Sequence, residues 1–226
     1  MPTTSRTLLD KDLAKLNDDL LKLANMVEEA LEYAMTAVAN RDKTLAQQVM
    51  VGDDHINQLR YEIEEECLRI IATQQPAATD LRHVIAAIHI ATELERIGDH
   101  AEGIAKLLNR INVAEQDITP LLHQLPKMAK RARKMIRSSV QAFIAKDPVA
   151  AATLIERDNK LDKQYSQFAE AVMADMEGDV RIQLGVTAPT YMLWMGHNLE
   201  RIGDRVTNIA ERVIFMVTGK FVEMNL

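Results

Sequence analysis

The sequence predicts an all-α fold that consists of two sequence-related three-helix bundles. Composition, helical periodicity and an internal repeat are the observations that predict it. The 226 residues include eight glycines and six prolines, and only 4% are aromatic. Ala, Leu, Met, Glu, Lys, Arg and Gln dominate the sequence, and these are strong helix formers. An all-β fold would need more β-branched and aromatic residues, and a Gly-rich nucleotide-binding loop would need more glycine.

Turn signals divide the chain into six segments with helical periodicity and almost no Gly or Pro. We expect an irregular lead-in at 179–186 before the last helix. Pro189 fits there because a first helical turn tolerates proline. The predicted helices are about 7–40, 43–74, 79–111, 120–146, 148–177 and 187–219.

An internal repeat gives the helices their grouping. The hexapeptide Leu-Glu-Arg-Ile-Gly-Asp at 94–99 recurs unchanged at 199–204, an offset of 105 residues. The same offset aligns three helices without a gap, and it places the turn at 41–42 on the turn at 146–147. A match that holds its offset over this length indicates duplication rather than chance.

The repeat predicts two domains, residues 1–114 and residues 115–226, each with three helices. The loops inside each half are short, so neighbouring helices are expected to run antiparallel. The polar stretch 112–120 is predicted to link the halves.

Charge and cysteine content limit the classes of function. The net charge is −6 and the pI about 5.6, so we expect no nucleic-acid partner, because phosphate binding needs a basic surface. Cys67 is the only cysteine, which excludes an intramolecular disulfide and suits a reducing cytoplasm. The amino-terminal residues lack the apolar stretch of a signal peptide, and no apolar run approaches the about 18–20 residues of a membrane span.

Paired carboxylates are the candidate functional residues. Glu95 and Asp99 on the third predicted helix recur as Glu200 and Asp204 on the sixth. Two carboxylates at i and i+4 repel each other by roughly 0.2–0.5 kcal/mol. Their presence in both copies suggests a cation that offsets the repulsion, and oxygen ligands suit Mg²⁺, Mn²⁺, iron or Ca²⁺.

A second set of oxygen ligands lies on the preceding helix of each half. Asp158 and Asp162 are four residues apart on the fifth helix, and Asp53 with Asn57 occupies the equivalent positions on the second. Counted from the intervening turn, each set lies at the same height as the carboxylates on the next helix. Each half is therefore predicted to assemble three or four oxygen ligands.

One other interpretation of these carboxylates stays open. Arg96 and Arg201 are repeated with the carboxylates, which favours a solvated network of ion pairs without metal. The glycines of the hexapeptide, Gly98 and Gly203, have a separate explanation. Each destabilises a helix interior by about 1 kcal/mol relative to Ala, so its presence there indicates that a neighbouring helix approaches closely.

A basic stretch distinguishes the second half from the first. Residues 127–137 hold six basic residues and no acid, whereas the equivalent stretch 22–32 is mainly acidic. The stretch is either a solvated helix face or a docking surface for an acidic protein or anionic lipid headgroups.

The repeated hexapeptide, within a chain of twice three helices, resembles the PhoU family, whose members are bacterial accessory regulators of phosphate transport and phosphate sensing. The likeness covers essentially the whole chain. Gly103, where the second copy has Asn208, and Asn57, in place of Asp, depart from the family pattern and weaken the first site. The stretches that carry the likeness are 74–76 with 80–82, 94–106, 199–213 and 217–220.

The resemblance implies two similar three-helix bundles whose acidic motifs bind metal, as iron or zinc clusters or as magnesium- or manganese-type ions. It also implies a cytoplasmic, often dimeric protein that acts beside the phosphate ABC transporter, with its ATPase, and a membrane sensor histidine kinase. The implied ligands are Glu95, Asp99, Glu200 and Asp204, with Asp158, Asp162, Asp53 and Asn57 opposite.

The function predicted is that of a non-enzymatic, metal-binding adaptor that negatively regulates phosphate uptake and phosphate-starvation genes. It would link transporter and kinase, associating with the membrane only through these partners. No Glu-x-x-His motif and no nucleophile–base arrangement supports catalysis. The alternatives are a carboxylate-cluster metal enzyme of phosphatase or oxidase type and a purely structural bundle.

Overall fold

The computed structural model describes residues 4–111, 123–177, 187–220 and 222. Within these ranges the chain is helical and contains no strand, which confirms the predicted all-α class. The helices are α1 (Thr4–Asn40), α2 (Lys43–Gln74), α3 (Ala78–Arg110), α4 (Leu125–Ala145), α5 (Pro148–Glu177) and α6 (Thr187–Thr218).

Among the boundaries within the described ranges, the start of the fourth helix differs most from its predicted position. It was expected at 120, but His123 and Gln124 are not helical and α4 begins at Leu125. Pro126 lies in its first turn, where a missing N–H costs no hydrogen bond. Pro189 lies in the first turn of α6 as predicted. The predicted linker 112–120 and the predicted lead-in at 179–186 lie outside the described residues.

The turn between the first two helices is the same in both halves. Asp42 caps α2 and Asp147 caps α5, each accepting hydrogen bonds of 2.9 Å from the backbone N–H groups two and three residues later. Arg41 and Lys146 precede them with φ of 57° and 53°. A side-chain oxygen at this position satisfies amide groups that the first turn of a helix leaves free.

The helices pack as two bundles, α1–α2–α3 and α4–α5–α6. They meet where α3 packs on α6 and α1 packs on α4. α2 packs on α1 and α3, and α5 packs on α4 and α6, so these two helices lie on the outside of the pair. No helix in the described part of the chain has the length and apolarity to cross a bilayer. Cys67 is buried in the core, and burial raises the pKa of its thiol to about 12.

The contact between α3 and α6 has approximate twofold symmetry. His100 Nδ1 lies 3.0 Å from Asn198 Oδ1, and Gly103 lies beside the same Asn198 side chain. Asn208 Nδ2 donates to Glu93 Oε2 at 3.2 Å. Positions 93 and 198 are equivalent in the repeat, as are 103 and 208. Each half therefore presents the same patch to the other, as in a symmetric dimer.

Opposite charges join α1 to α4 at equivalent positions. Arg137 donates through Nε and Nη2 to both carboxylate oxygens of the buried Glu28, at 3.2 and 2.6 Å. Arg133 Nη2 donates to Glu32 Oε2 at 2.7 Å. Position 28 is equivalent to 133, and 32 to 137. Part of the basic stretch therefore meets the acidic stretch of its own chain, while its lysines stay exposed. These lysines are Lys127, Lys130 and Lys134.

Candidate metal centres

The first cluster lies between α2 and α3, on the outer side of the first bundle. It contains Asp53 and Asn57 from α2 and Glu95, Asp99 and Glu102 from α3. Asp53 is 8% exposed and the other side chains are half-buried. The predicted facing of the two helices is therefore present in the structure.

Asp53 is a buried acid with one oxygen bound and one oxygen free. Asn57 Nδ2 donates to Asp53 Oδ2 at 2.8 Å, whereas Oδ1 is buried without a hydrogen-bond partner. Burial, followed by the negative charges of Glu102, Asp99 and Glu95, raises the pKa of Asp53 to about 6. Ionisation of Asp53 is therefore unfavourable in the chain alone, and a bound cation would stabilise its ionised carboxylate.

The second cluster lies between α5 and α6 and repeats this arrangement. It contains Asp158 and Asp162 from α5 and Glu200, Asp204 and Thr207 from α6. Asp158 is 4% exposed, and Thr207 Oγ1 donates to its Oδ2 at 2.9 Å. Burial and the charges of Asp162, Asp204 and Glu200 raise the pKa of Asp158 to about 6, against the opposing hydrogen bond from Thr207.

Carboxylate oxygens that lack hydrogen-bond partners recur at equivalent places in both clusters. A buried acceptor without a partner costs about 1–3 kcal/mol, and more when it is charged. Burial is also the main cause that raises the pKa of Glu95, Asp162 and Glu200, with the neighbouring Asp99 or Asp204 as the next. Among the described residues of the two clusters, the buried carboxylate oxygens without a hydrogen-bond partner are Asp53 Oδ1, Glu95 Oε2, Asp158 Oδ1, Asp162 Oδ1 and Glu200 Oε2.

The glycines of the hexapeptide make room for the buried aspartates. A Cβ at Gly203 would overlap Asp158 Oδ1 and lie 3.0 Å from Leu161 Cδ2. A Cβ at Gly98 would lie 3.3 Å from Asp53 Oδ1 and 3.2 Å from Ile56 Cγ2. The sequence predicted a close helix approach at both glycines, and the structure confirms it.

The ion pairs with arginine that the sequence also suggested are present at the rim of each cluster. Arg96 Nη1 lies 3.3 Å from Asp99 Oδ2, and Arg201 Nη1 lies 2.9 Å from Asp204 Oδ2. The Arg96 side chain is 57% exposed, so its ion pair is screened by water. The free oxygens of Asp53 and Asp158 lie deeper, and these same-helix pairs leave them without a partner.

The chemistry of the side chains fits a hard cation, although they do not form a ready coordination shell. In the described ranges, no group of three or more His, Cys, Asp or Glu side chains is arranged to hold a metal ion. The donors nonetheless share one small region per half, are oxygen atoms only, and include buried carboxylate oxygens with free lone pairs. Such a set suits Mg²⁺, Mn²⁺ or iron better than a soft metal.

Several residues around the clusters were not among the predicted ligands. Glu102 and Thr207 occupy equivalent positions, three residues beyond Asp99 and Asp204 on the same stripe, and that spacing could have found them. His197 Nδ1 lies 3.1 Å from Glu200 Oε2. Glu102 adds a carboxylate to the first cluster and Thr207 adds a hydroxyl to the second, while the His197 imidazole contacts a carboxylate at the edge of the second cluster.

The difference between Gly103 and Asn208 lies at the contact between the two bundles. The change from Asn208 to Gly103 was expected to weaken the first site. Asn208 bonds to Glu93 across the α3–α6 contact, and Gly103 packs against Asn198 in the equivalent place. The difference therefore adapts the contact between the bundles, and the ligand set of the first cluster does not lose a donor through it.

Comparison with known proteins identifies the family. A family model described as the PhoU domain matches residues 20–108 and again residues 125–213. The chain belongs to the PhoU family. Both ends of the second match lie 105 residues beyond those of the first, which is the offset of the repeated hexapeptide. The two matches fall inside the predicted ranges 1–114 and 115–226, whose shared boundary stays a prediction.

Relatives match the chain over nearly its full length. A Clostridium acetobutylicum protein, named a phosphate-specific transport system accessory protein PhoU homolog, is 33% identical over 98% of this chain and 99% of its own. The Serratia marcescens accessory protein PhoU is 36% identical over 92% of this chain and 84% of its own. These names describe accessory proteins and no enzyme, in agreement with the prediction of a non-enzymatic protein.

Solved structures of the family share the fold. The crystal structure of PhoU from Pseudomonas aeruginosa has a TM-score of 0.84 and 33% identity, covering 93% of this chain and 99% of that one. The phosphate transport system regulatory protein PhoU from Streptococcus pneumoniae has a TM-score of 0.86 and 30% identity, covering 95% and 99%. The predicted family and the fold of two related bundles are thereby confirmed.

Proposed function

We propose that this protein is a cytoplasmic, metal-binding adaptor that represses phosphate uptake and phosphate-starvation genes. It would link the ATPase of a phosphate ABC transporter to a sensor histidine kinase, and it would do so as a homodimer. Its relatives are named accessory and regulatory proteins of phosphate transport, which supports the regulatory part of the proposal. The absence of a nucleophile–base pair in its sequence agrees with a role in binding.

The single observation that carries the metal-binding part is the pair of buried aspartates, Asp53 and Asp158. Each has one oxygen without a hydrogen-bond partner, and neighbouring carboxylates help to raise its pKa. A protein does not ordinarily keep such atoms unpaired in two equivalent places, since each costs stability. A bound divalent or iron-type cation would neutralise the carboxylates and supply the missing ligand contacts. Zinc is the less suited choice, because neither cluster contains cysteine.

The position of the clusters indicates how metal would affect signalling. Each cluster joins an outer helix, α2 or α5, to a central helix, α3 or α6. Metal would hold the outer helix in place, whereas repulsion among the carboxylates would loosen it in the metal-free protein. Binding of this kind can favour one of two arrangements of a docking surface, which is the requirement for an adaptor that transmits a state.

The proposal is tested by neutralising the second cluster with the double substitution Glu200→Gln and Asp204→Asn. The matched control is Glu170→Gln, an exposed carboxylate on α5 outside the cluster. Metal content is measured by mass spectrometry of the purified protein, and repression by alkaline phosphatase activity in phosphate-replete cells that lack the native chain.

We expect the double variant to lose the metal of the second cluster, and so part of the total, and to raise phosphatase activity several-fold, while the control behaves as the native protein. Unchanged metal content in a folded double variant would contradict the ligand assignment. Lost metal with full repression would contradict the role of metal in signalling.

A further inference from the structure

The two repeats differ at the seam between their first two helices. In the second repeat, Arg157 of α5 crosses to α4, where its Nη1 donates to Ser138 Oγ at 2.8 Å. The positions equivalent to Arg157 and Ser138 in the first repeat are Gly52 and Tyr33. Glycine has no side chain to cross the seam, and a Cβ at Gly52 would meet no atom within 4 Å.

The first repeat has an open groove beside Gly52, at the position that corresponds to Arg157 in the second repeat. The volume of the groove is about 230 Å³. Sites for small molecules measure about 300–1,000 Å³, so the groove is better suited to a single inserted side chain. Tyr33 at its edge is 44% exposed. The residues that line it are Met26, Ala30, Val49, Gly52 and Ile56, with Glu29, Tyr33, Gln48 and His55 at the rim.

The carboxylate of Glu29 lies at the rim of the groove and can accept a further hydrogen bond from a cationic group. Tyr33 Oη donates to Glu29 Oε1 at 2.7 Å, which fixes the carboxylate and leaves its other oxygen for a second donor. Glu29 is exposed, and the equivalent residue of the second repeat is Lys134. The first seam is therefore acidic at the position where the second seam is basic.

We propose that this groove receives an arginine side chain from a basic segment of a partner protein. The aliphatic part of that arginine lies on the apolar floor formed by Met26, Ala30 and Ile56, and its guanidinium pairs with Glu29. Arginine combines an apolar stem with a planar donor group, so it satisfies both parts of the groove. Arg157 supplies the intramolecular precedent. The proposal goes beyond the regulatory function proposed above, which specifies no contact surface.

The experiment is an amide NMR titration of the ¹⁵N-labelled full chain with the blocked tripeptide Leu-Arg-Leu. Leu-citrulline-Leu, which is isosteric and neutral, is the matched ligand control. Gly52→Arg fills the groove from within, and Gly52→Ala leaves it open. Both substitutions replace a mid-helix glycine, so both are expected to raise Tm by about 2–4 °C.

We expect the arginine peptide to shift the amides of Gly52 and Ala30 saturably, with a dissociation constant in the millimolar range, and the citrulline peptide to bind at least tenfold more weakly. Gly52→Arg should abolish binding and Gly52→Ala should retain it. Equal binding of both peptides, binding that survives Gly52→Arg, or no saturable shift would overturn the proposal. Shifts at Gly52 that depend on protein concentration alone would identify a second copy as the occupant and overturn it too.

The groove lies in the first repeat, whereas the second metal cluster lies in the other repeat between α5 and α6. The double variant Glu200→Gln and Asp204→Asn should bind the peptide as the native chain does. A failure of the regulatory proposal is therefore distinguishable from a failure of this one.

Discussion

The two carboxylate clusters hold the same number of acids in different places. The first cluster has Asp53, Glu95, Asp99 and Glu102, with Asn57 beside them. The second cluster has an aspartate, Asp162, at the position of Asn57 and a threonine at that of Glu102. Compared with the first cluster, the second has one carboxylate fewer on its central helix and one more on its outer helix, so each half holds four. What the repeats share is therefore the local charge, and the exact positions are variable.

A second shared feature concerns the buried aspartate of each cluster. Asp53 and Asp158 each accept one hydrogen bond at Oδ2, from Asn57 and from Thr207 respectively, and each keeps Oδ1 free. The donors come from different helices, so the common result does not follow from a common residue. It indicates that a free, buried oxygen is what both sites retain.

The two equivalent ion pairs of the α1–α4 contact should show the largest difference in their contribution to the free energy of unfolding. Arg137→Ala would leave the buried Glu28 without its two hydrogen bonds and should lower the free energy of unfolding by about 2–3 kcal/mol. Arg133→Ala removes a pair with Glu32, which is half-exposed, and should cost less than about 1 kcal/mol. Urea denaturation of both variants measures the difference. Equal losses would contradict the assigned role of the buried pair.

The two glycines of the repeated hexapeptide should also differ. Gly203→Ala forces a methyl group onto Asp158 Oδ1 and should destabilise the protein by about 1–3 kcal/mol. At Gly98→Ala the contacts are 3.2–3.3 Å, and the gain in helix propensity of about 1 kcal/mol offsets the crowding. Thermal and urea unfolding of the metal-free variants tests this. A Gly98→Ala variant as unstable as Gly203→Ala would show that the seams are packed equally tightly.

The buried aspartates should respond alike to pH. Their pKa of about 6 in the folded chain exceeds the about 3.9 of an unfolded aspartate, so the folded chain retains protons that the unfolded chain releases. Their contribution to the free energy of unfolding therefore falls as pH rises from about 4 to about 6, and stays low above that.

Replacement by asparagine tests this dependence. In metal-free protein, Asp53→Asn and Asp158→Asn should each stabilise the fold by about 1–2 kcal/mol at pH 7.5 and leave it unchanged near pH 4. Excess Mn²⁺ should reverse the order at pH 7.5, because the complete clusters of the native chain bind it more tightly than a cluster that lacks its buried carboxylate. Variants that are less stable than the native chain at pH 7.5 without metal would contradict the strained-carboxylate account.

Sequence reasoning located the helices and most of the clusters because both depend on local spacing. The i, i+4 spacing, the 105-residue offset and the count from the turn place Asp53 and Asp158 at the height of the carboxylates on the next helix without further information. The bond from Thr207 to Asp158 was missed, since a hydroxyl on an apolar stripe carries no charge signal. The Glu28–Arg137 pair was missed for another reason. It joins residues 109 positions apart through the packing of the two bundles, which local pattern does not contain.

The most direct test of the central claim is Mn²⁺ binding, measured by isothermal titration, to variants with one or both clusters neutralised. Glu95→Gln with Asp99→Asn addresses the first cluster, and Glu200→Gln with Asp204→Asn the second. The account predicts that each double variant loses part of the bound Mn²⁺ and that the combined variant loses all of it while remaining folded. A folded combined variant that binds as much Mn²⁺ as the native chain would contradict it.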